Sequence, residues 1–220
     1  MSNHITRLLV IRHGETDWNQ TSRIQGHTDI PLNDNGRWQA ARLAQALADE
    51  GIDALYASDL QRAAETARAV AAAAGVSLQT DAGLRERHFG RLEGMTQVEV
   101  AAQWPDEGRR WRERDPGYGP DGGETLQLFY ERCVGTAERL AQRHPGQTVA
   151  LVAHGGVLDC FYRAANRVPL QAPRTWTIAN ASINRLLYSL EGFSLLGWAD
   201  TRHLDADGLD ESSDGLVLPR

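Results

Sequence analysis

Two histidines stand in a similar local context, each at the end of an apolar run and directly before a glycine. His13 closes the run in Val10-Ile-Arg-His-Gly14, and His154 does so in Val152-Ala-His-Gly-Gly156. In an open α/β sheet, ligands bind at the carboxyl ends of the strands. A single histidine is more often structural, but two in this shared context predict a ligand site if their strands are neighbours.

Two arginines supply the chemistry that a phosphate group needs. Arg12 directly precedes His13, and Arg62 falls in the first turn of a predicted helix. A guanidinium is a planar fork that makes paired hydrogen bonds to phosphate oxygens. A cation at a helix N-terminus opposes the macrodipole, so Arg62 is better placed for binding an anion than for a structural role. The alternative interpretation is a surface ion pair between Arg62 and Asp59.

The elements that must position these side chains alternate between short apolar runs and helical segments. The pattern predicts strands over 7–12, 54–57, 76–79 and 148–153. It predicts helices over 36–47, from Ser58 as N-cap to Gly75, over 124–143 and over about 157–166. A hairpin is predicted over 184–190 and 194–198. This order predicts an α/β fold with three layers (α/β/α), a mostly parallel central sheet and helices on both faces.

Two stretches depart from this alternation within what we expect to be a single domain over residues 1–220. Residues 104–123 are rich in proline, glycine and charge, which indicates an excursion or lid over the sheet. Its arginines could hold a substrate carboxylate or second phosphate, or could form local ion pairs; they are Arg109, Arg110, Arg112 and Arg114. The acidic tail from about residue 200 is expected to be docked on the body.

Composition excludes several classes of function. All 23 basic residues are arginine, so chemistry that requires a lysine amine is excluded. The formal net charge of −6 argues against nucleic acid as a partner, and no apolar run approaches the length of about 18 residues that a membrane span needs. Cys133 and Cys160 are interpreted as reduced thiols. With no export signal visible, a cytoplasmic location is expected.

Further blocks follow the Arg-His-Gly segment in a fixed order: Gln25-Gly-His-Thr-Asp-Ile-Pro-Leu32, Ser58-Asp-Leu-Gln-Arg-Ala-Ala-Glu-Thr-Ala67, Leu84-Arg-Glu-Arg-His-Phe-Gly90, Gly122-Gly-Glu-Thr125 and Ala153-His-Gly-Gly156. Taken with Leu9-Val-Ile-Arg-His-Gly-Glu-Thr-Asp-Trp-Asn19, they resemble the histidine phosphatase superfamily, which has the phosphoglycerate mutase-like fold. The resemblance covers about residues 7–160. Any one block is a weak signal, whereas the ordered set is specific.

The resemblance implies a role for each matching position. His13 is expected to be the nucleophile that accepts the phosphoryl group, and Glu86 the proton donor to the leaving alcohol. The expected phosphate pocket consists of Arg12, Asn19, Gln25, Gly26, Arg62, His154 and the N–H of Gly155. Two arginines beside His13 would keep its ring neutral, and we expect its second ring nitrogen to donate to a backbone carbonyl.

Glu86 raises a difficulty, because Arg85 and Arg87 flank it in sequence and a nearby guanidinium would disfavour the protonated acid. Either those side chains point away, or the negative charge of the bound phosphate favours protonation. The second explanation is the one we favour from sequence.

Three departures favour the phosphatase branch over the mutases: Gly156 where mutases typically carry Asn, Gln25 where they carry Ser or Thr, and the absent lysine. The predicted function is therefore hydrolysis of a small phosphorylated metabolite, without a cofactor.

His27 and His88 match no zinc spacing, so no metal is expected. The alternatives are a 2,3-bisphosphoglycerate-dependent phosphoglycerate mutase and a non-catalytic phospho-ligand or protein-binding module. The C-terminal hairpin offers an edge strand on which a homo-oligomer could form.

Overall fold

The computed structural model describes residues 5–205, in which strands alternate with helices. The strands are β1 (Thr6–Arg12), β2 (Ala54–Ala57), β3 (Leu78–Thr80), β4 (Thr148–Ala153), β5 (Ile183–Ser189) and β6 (Gly192–Asp200). The α-helices of this range are α1 (Asp17–Gln20), α2 (Asp34–Leu47), α3 (Gln61–Ala74), α4 (Gln97–Gln103), α5 (Pro105–Arg112), α6 (Leu126–Gln142) and α7 (Gly155–Asn166). Over residues 5–205, no helix is both long and apolar enough to cross a membrane.

One mixed sheet has the strand order β3-β2-β4-β1-β5-β6. The pairs β3–β2, β2–β4 and β4–β1 are parallel, whereas β5 and β6 form an antiparallel hairpin against β1. Arg12 at the end of β1 pairs with Ala153 at the end of β4. The two strands that precede the histidines are therefore adjacent, and their carboxyl ends meet at one edge of the sheet.

Each face of the sheet carries its own apolar core, because successive residues of a strand point to opposite faces. Leu8 and Val10 of β1 are buried in a cluster formed with α6 and α7. Leu9 and Ile11 are buried in a second cluster, formed with α2 and α3. The chain leaves β1 and β4 toward opposite faces. These layers confirm the predicted α/β/α architecture with helices on both faces.

The start of α3 corrects one prediction. Ser58 is not the N-cap: the helix begins at Gln61, with Leu60 as an extended N-cap that makes no side-chain capping bond. The Ser58 hydroxyl instead accepts a hydrogen bond from the backbone N–H of Leu60. The N–H of Gln61 donates to Asp29 Oδ1 at 2.7 Å, so a distant loop satisfies the helix end.

The remaining boundaries shift by a few residues. The helix predicted from about 157 begins at Gly155, and the strand predicted over 76–79 lies at 78–80. Gly75 ends α3 with a φ of 69°, the left-handed conformation that glycine adopts without strain. Within the stretch 104–123, residues 105–112 form helix α5, with Pro105 at its first turn. The predicted tail continues to residue 220, and its portion beyond residue 205 lies outside the described residues.

Candidate active site

The carboxyl ends of β1 and β4 bring the two histidines together. The ring centroids of His13 and His154 lie 5.1 Å apart. Both side chains are buried, His13 with 3% of its surface exposed and His154 with none. His154 is the N-cap residue of α7, so its ring lies at the positive end of that helix. The shared crevice inferred from the two His-Gly segments is therefore present.

The ring of His13 is held in one orientation and one protonation state. Its Nδ1 lies 2.6 Å from the carbonyl oxygen of Gly14, so Nδ1 carries the proton and donates it, as expected from the sequence. Burial lowers the pKa of His13 well below its usual value near 6.5, and the charges of Arg62 and Arg12 lower it further. Nε2 of a neutral ring with this tautomer has a free lone pair, which is what a nucleophile requires.

His154 has the opposite tautomer. Its Nδ1 accepts a hydrogen bond from Nε of Arg62 at 3.2 Å, so the proton of the neutral ring lies on Nε2. That Nε2 is buried and has no hydrogen-bond partner within residues 5–205. Burial lowers the pKa of His154 well below its usual value, followed by the charge of Arg62. The site thus contains one neutral imidazole with a free lone pair and one with an unused donor.

These two histidines are expected to make the fold less stable as the pH falls below about 6.5. Their folded pKa values lie below the unfolded value, so in that window only the unfolded chain binds the protons. The free energy of unfolding should then drop by about 1.4 kcal/mol per pH unit for each histidine. Denaturant unfolding at pH 7.5, 6.5 and 5.5 measures the slope, which should be smaller in His154→Gln. Equal slopes in the two proteins would contradict this assignment.

Arg62 is the second residue of α3 and is fully buried. Besides bonding to His154, it donates from Nη1 to the carbonyl of Thr28 at 3.0 Å and from Nη2 to that of Gly26 at 2.8 Å. A guanidinium has five N–H groups, so two remain for a ligand. The alternative ion pair with Asp59 is not formed.

Arg12 is partly buried at the end of β1 and donates from Nη1 to the carbonyl of Ile178 at 2.6 Å. Its Nε is buried without a partner in the described chain. Burial lowers the pKa of both Arg12 and Arg62 to about 10, so both remain cationic at neutral pH. Gly155, the first residue of α7, lies against this guanidinium: a Cβ added there would stand 3.5 Å from Nε.

Glu86 reaches the same site from the segment that follows β3. Its Oε2 accepts from the backbone N–H of Gly156 at 2.9 Å, and Oε1 accepts from the N–H of Arg87 at 2.9 Å. The main-chain carbonyl of Glu86 accepts from Arg132 and lies 2.9 Å from Nε2 of His27. The position of Glu86 is therefore fixed by contacts to its main-chain carbonyl and by hydrogen bonds to its carboxylate.

The two arginines that flank Glu86 in sequence point away from its carboxyl group. Arg85 forms an ion pair with Asp59 at 2.5 Å, and Arg87 donates to the carbonyl of Tyr118 at 2.6 Å. This is the first of the two explanations considered from sequence; the second, in which the negative charge of the bound phosphate favours protonation, stays a prediction.

Gly156 is required by the position of Glu86. A Cβ at this residue would lie 2.2 Å from Glu86 Oε1, too close for any side chain. Gly156→Ala is therefore expected to displace the carboxyl group and lower kcat/KM by about 10- to 100-fold. Gly135→Ala on α6 is the matched control, because nothing lies within 4 Å of the added methyl. The control should keep full activity and gain about 0.5–1 kcal/mol of stability. Equal activity of both variants would contradict the argument.

Three of the expected pocket residues come from the loop that carries α1. Asn19 forms a capping box with Thr16, in which its Oδ1 accepts from the Thr16 backbone N–H. Asn19, Gln25 and Gly26 all line the cleft beside His13. Gln25 Oε1 is buried without a partner in the described chain. Of the predicted pocket residues, Arg12, Asn19, Gln25, Gly26 and Arg62 thus line one space, whereas His154 contacts its walls at His13 and Arg62 and Gly155 does so at Arg12.

The loop between α7 and β5 contributes residues that the sequence did not single out. Asn180 donates from Nδ2 to the carbonyls of His13 and Gly14, at 3.0 and 3.2 Å, and approaches Asn19. Arg174 lines the cleft near Arg12. This loop has no periodic pattern, so nothing in the sequence indicated it. Asn180 supports the backbone that holds the His13 ring.

The cleft has two lobes, which meet at Glu86. The near lobe has a volume of about 590 Å³ and is lined by His13, together with Arg12, Asn19 and Arg62. The far lobe, of about 430 Å³, lies beyond Glu86 toward α5. Both lobes share the residues Glu86, Phe89, Gln97, Trp111 and Arg174. Any ligand with its phosphate at His13 therefore has a second space on the far side of Glu86.

The arginines of the 104–123 stretch divide between the two roles considered from sequence. Arg109 pairs with Glu113 at 2.9 Å and Arg110 with Asp115 at 2.8 Å, which is local pairing. Arg112 and Arg114 line the far lobe. The stretch therefore contributes both a charged surface and part of the cleft wall.

His27 and His88 stack on each other with ring centroids 4.6 Å apart. His27 also contacts the carbonyl of Glu86, as described above, and His88 Nε2 lies 3.7 Å from Glu93. Within the described residues, no group of three or more His, Cys, Asp or Glu side chains is arranged to hold a metal ion. His27 therefore helps to hold the main chain at Glu86, and His88 packs against His27.

Sequence and structure comparisons identify proteins that are similar to this chain. A family model described as the histidine phosphatase superfamily (branch 1) matches residues 8–201. Phosphoglycerate mutase-like protein 4 of Arabidopsis thaliana is 37% identical over 212 residues, covering 94% of this chain and 91% of that protein. The metal-independent phosphoserine phosphatase of the same plant is 32% identical over 223 residues, covering 100% and 92%. The solved structure of mycobacterial glucosyl-3-phosphoglycerate phosphatase in complex with VO3 gives a TM-score of 0.80 at 31% identity, covering 89% of this chain and 99% of that chain.

Proposed function

Because the chain belongs to the histidine phosphatase superfamily, branch 1, we propose that it hydrolyses phosphomonoesters of small metabolites through a phosphohistidine intermediate. The observation that carries the proposal is the state of His13. Its ring is neutral, its Nδ1 donates to the carbonyl of Gly14, and its Nε2 is free, with the charges of Arg62 and Arg12 close to the ring. Relatives named for phosphoserine and glucosyl-3-phosphoglycerate phosphatases support this class of substrate.

In the first step, His13 Nε2 attacks phosphorus while the bond from phosphorus to the ester oxygen breaks. Glu86, in its protonated form, gives its proton to the leaving alcohol. Arg12, Arg62 and the unused Nε2–H of His154 are donors for the equatorial oxygens, where charge is spread in the transition state. Asn19, with its Oδ1 engaged by Thr16, is oriented to offer its amide N–H groups.

In the second step, water attacks the phosphohistidine and Glu86, now a carboxylate, accepts its proton. Inorganic phosphate leaves and the neutral His13 is restored. The balance is one ester and one water consumed, and one alcohol and one phosphate released. Every group that acts in these two steps belongs to the chain, so the proposed mechanism includes no metal.

A phosphoglycerate mutase is the second candidate, favoured by the relative that is named as mutase-like. Such an enzyme must return the phosphoryl group to a second hydroxyl of the substrate rather than to water. The lack of lysine favours hydrolysis, as does glycine at position 156, where mutases typically carry Asn. A non-catalytic binding module would use the donors of this site but would not need the free lone pair of His13.

The test uses the purified full chain with p-nitrophenyl phosphate in EDTA, where we expect turnover to persist. Loss of activity on chelation that zinc restores would contradict the metal-independent mechanism. No hydrolysis under either condition would favour the binding module. With 3-phosphoglycerate and 2,3-bisphosphoglycerate supplied together, phosphate release should exceed isomerisation. Faster isomerisation would favour the mutase.

A further inference from the structure

The far lobe is not used by the catalytic steps, yet it opens directly behind the proton donor. In the proposed reaction the phosphate binds on the His13 side of Glu86, and the far lobe is the space on the other side into which the alcohol can extend. Its volume of about 430 Å³ alone falls in the range of about 300–1,000 Å³ found for complete small-molecule pockets. The space therefore exceeds what a three-carbon alcohol needs.

The walls of the far lobe combine apolar rings with positive charge. Phe89, Trp111 and Phe129 supply aromatic surface against which a carbon chain can pack. Arg112 and Arg174 also line it, and neither guanidinium makes a hydrogen bond or ion pair with any residue in the range 5–205. Unpaired guanidinium groups beside a cavity are binding partners for a carboxylate or another anionic group.

A third feature is a buried carboxylate oxygen without a partner. Asp159 on α7 lines the far lobe and is 5% exposed. Its Oδ2 accepts from Arg114 at 2.6 Å and from Arg163 at 2.9 Å, whereas its Oδ1 is buried and accepts no hydrogen bond from the described chain. A buried acceptor of this kind is costly unless a ligand or water satisfies it.

The charge around Asp159 selects the kind of donor it can take. Two guanidinium groups already contact this carboxylate, so the local charge is positive before a ligand arrives. An ammonium group would be repelled there, whereas a neutral hydroxyl group would not, and it can donate to the buried Oδ1 once the carboxylate turns that oxygen toward the lobe. The lobe thus offers an acceptor for hydroxyl groups and cations for an anionic group.

We propose that the far lobe binds the leaving alcohol, and that this alcohol is a polyhydroxylated carboxylic acid of more than three carbons, such as a sugar acid. Arg112 and Arg174 bind its carboxylate, Asp159 accepts from a hydroxyl group, and the aromatic rings cover the carbon chain. This inference rests on the proposed phosphatase function, because it assigns the part of the substrate that the phosphate leaves.

The test compares two esters that differ only at one end, 6-phosphogluconate and glucitol 6-phosphate, which carry a carboxylate and a CH₂OH group at C1. The wild-type kcat/KM should be about tenfold higher for the acid, as expected for charge-assisted hydrogen bonds. In Arg112→Gln/Arg174→Gln that ratio should fall toward one. The matched control is Arg109→Gln on the same helix, whose partners are Asp106 and Glu113, and it should keep the wild-type ratio.

A second comparison isolates the hydroxyl groups. The phosphate ester of 6-hydroxyhexanoate has the chain length and carboxylate of 6-phosphogluconate without its hydroxyl groups, and its kcat/KM should be lower. A wild-type ratio near one for acid and alcohol, or an unchanged ratio in the double variant, would overturn the inference. Turnover of p-nitrophenyl phosphate by the wild type tests the phosphatase function separately. If the wild type hydrolyses this ester while its kcat/KM ratio for acid and alcohol is near one, the phosphatase function stands and only the inference about the far lobe fails.

Discussion

Replacement of His13 by alanine should lower kcat for p-nitrophenyl phosphate by about four orders of magnitude, as found when a covalent nucleophile is removed. The ring supplies the nitrogen lone pair beside Arg12 and Arg62, and the methyl group of alanine supplies no nucleophile in its place. His154 cannot take over, because Arg62 occupies its Nδ1 and its Nε2 carries the proton. The measurement is steady-state hydrolysis, with circular dichroism to establish that the variant is folded.

The control for this variant is His144→Ala. His144 lies just before β4, at the opposite end of that strand, where it contacts Tyr56 and Gln147. It should keep its turnover, although it can lose some stability. Retention of more than about a tenth of wild-type kcat in a folded His13→Ala protein would show that another residue is the nucleophile.

Glu86→Gln should lower kcat/KM more for substrates with a poor leaving group, which must be protonated, than for substrates with a good one. For glycerol 3-phosphate, whose alcohol is a poor leaving group, kcat/KM should fall by about 10²- to 10³-fold, the usual contribution of a general acid. For p-nitrophenyl phosphate the loss should be much smaller, since the phenolate leaves readily. The amide has a single acceptor oxygen, so it keeps one of the two hydrogen bonds from Gly156 and Arg87 and sets its NH₂ group against the other N–H; circular dichroism establishes that the variant is folded.

The use of kcat/KM matters here, because it reports the phosphoryl transfer to the enzyme rather than the later attack by water. Glu131→Gln is the matched control: this exposed glutamate of α6 bonds only to Gln127 among the hydrogen bonds of the described chain. It should behave as wild type with both esters. An equal loss for both esters in Glu86→Gln would mean that Glu86 positions the substrate without donating a proton.

The core of the site could be predicted because its information is local and repeated. Each histidine follows an apolar run that has to be a buried strand, and each precedes a glycine that allows the chain to turn. Adjacency of β1 and β4 was the one condition left open, and the parallel pairing of Arg12 with Ala153 meets it. The layers on either side follow from the alternation of buried residues along these strands.

Features that depend on contacts between distant segments could not be predicted. The start of α3 is set by Asp29, more than thirty residues away, so a search for a local cap selected Ser58 instead. Arg85 and Arg87 were judged by their distance along the chain from Glu86, whereas their partners in other segments determine where they point. Arg174 and Asn180 lie in a loop without periodicity, and only the folded chain places them at the cleft.

The central claim is that a phosphoryl group is transferred to His13 during turnover. The direct measurement is rapid acid-free quenching of the wild type with labelled substrate, followed by peptide mapping at alkaline pH, where phosphohistidine survives. We predict a single acid-labile phosphate on Nε2 of His13, formed faster than phosphate is released. A label on His154 or on any other residue, or turnover with no trapped label at all, would contradict the account.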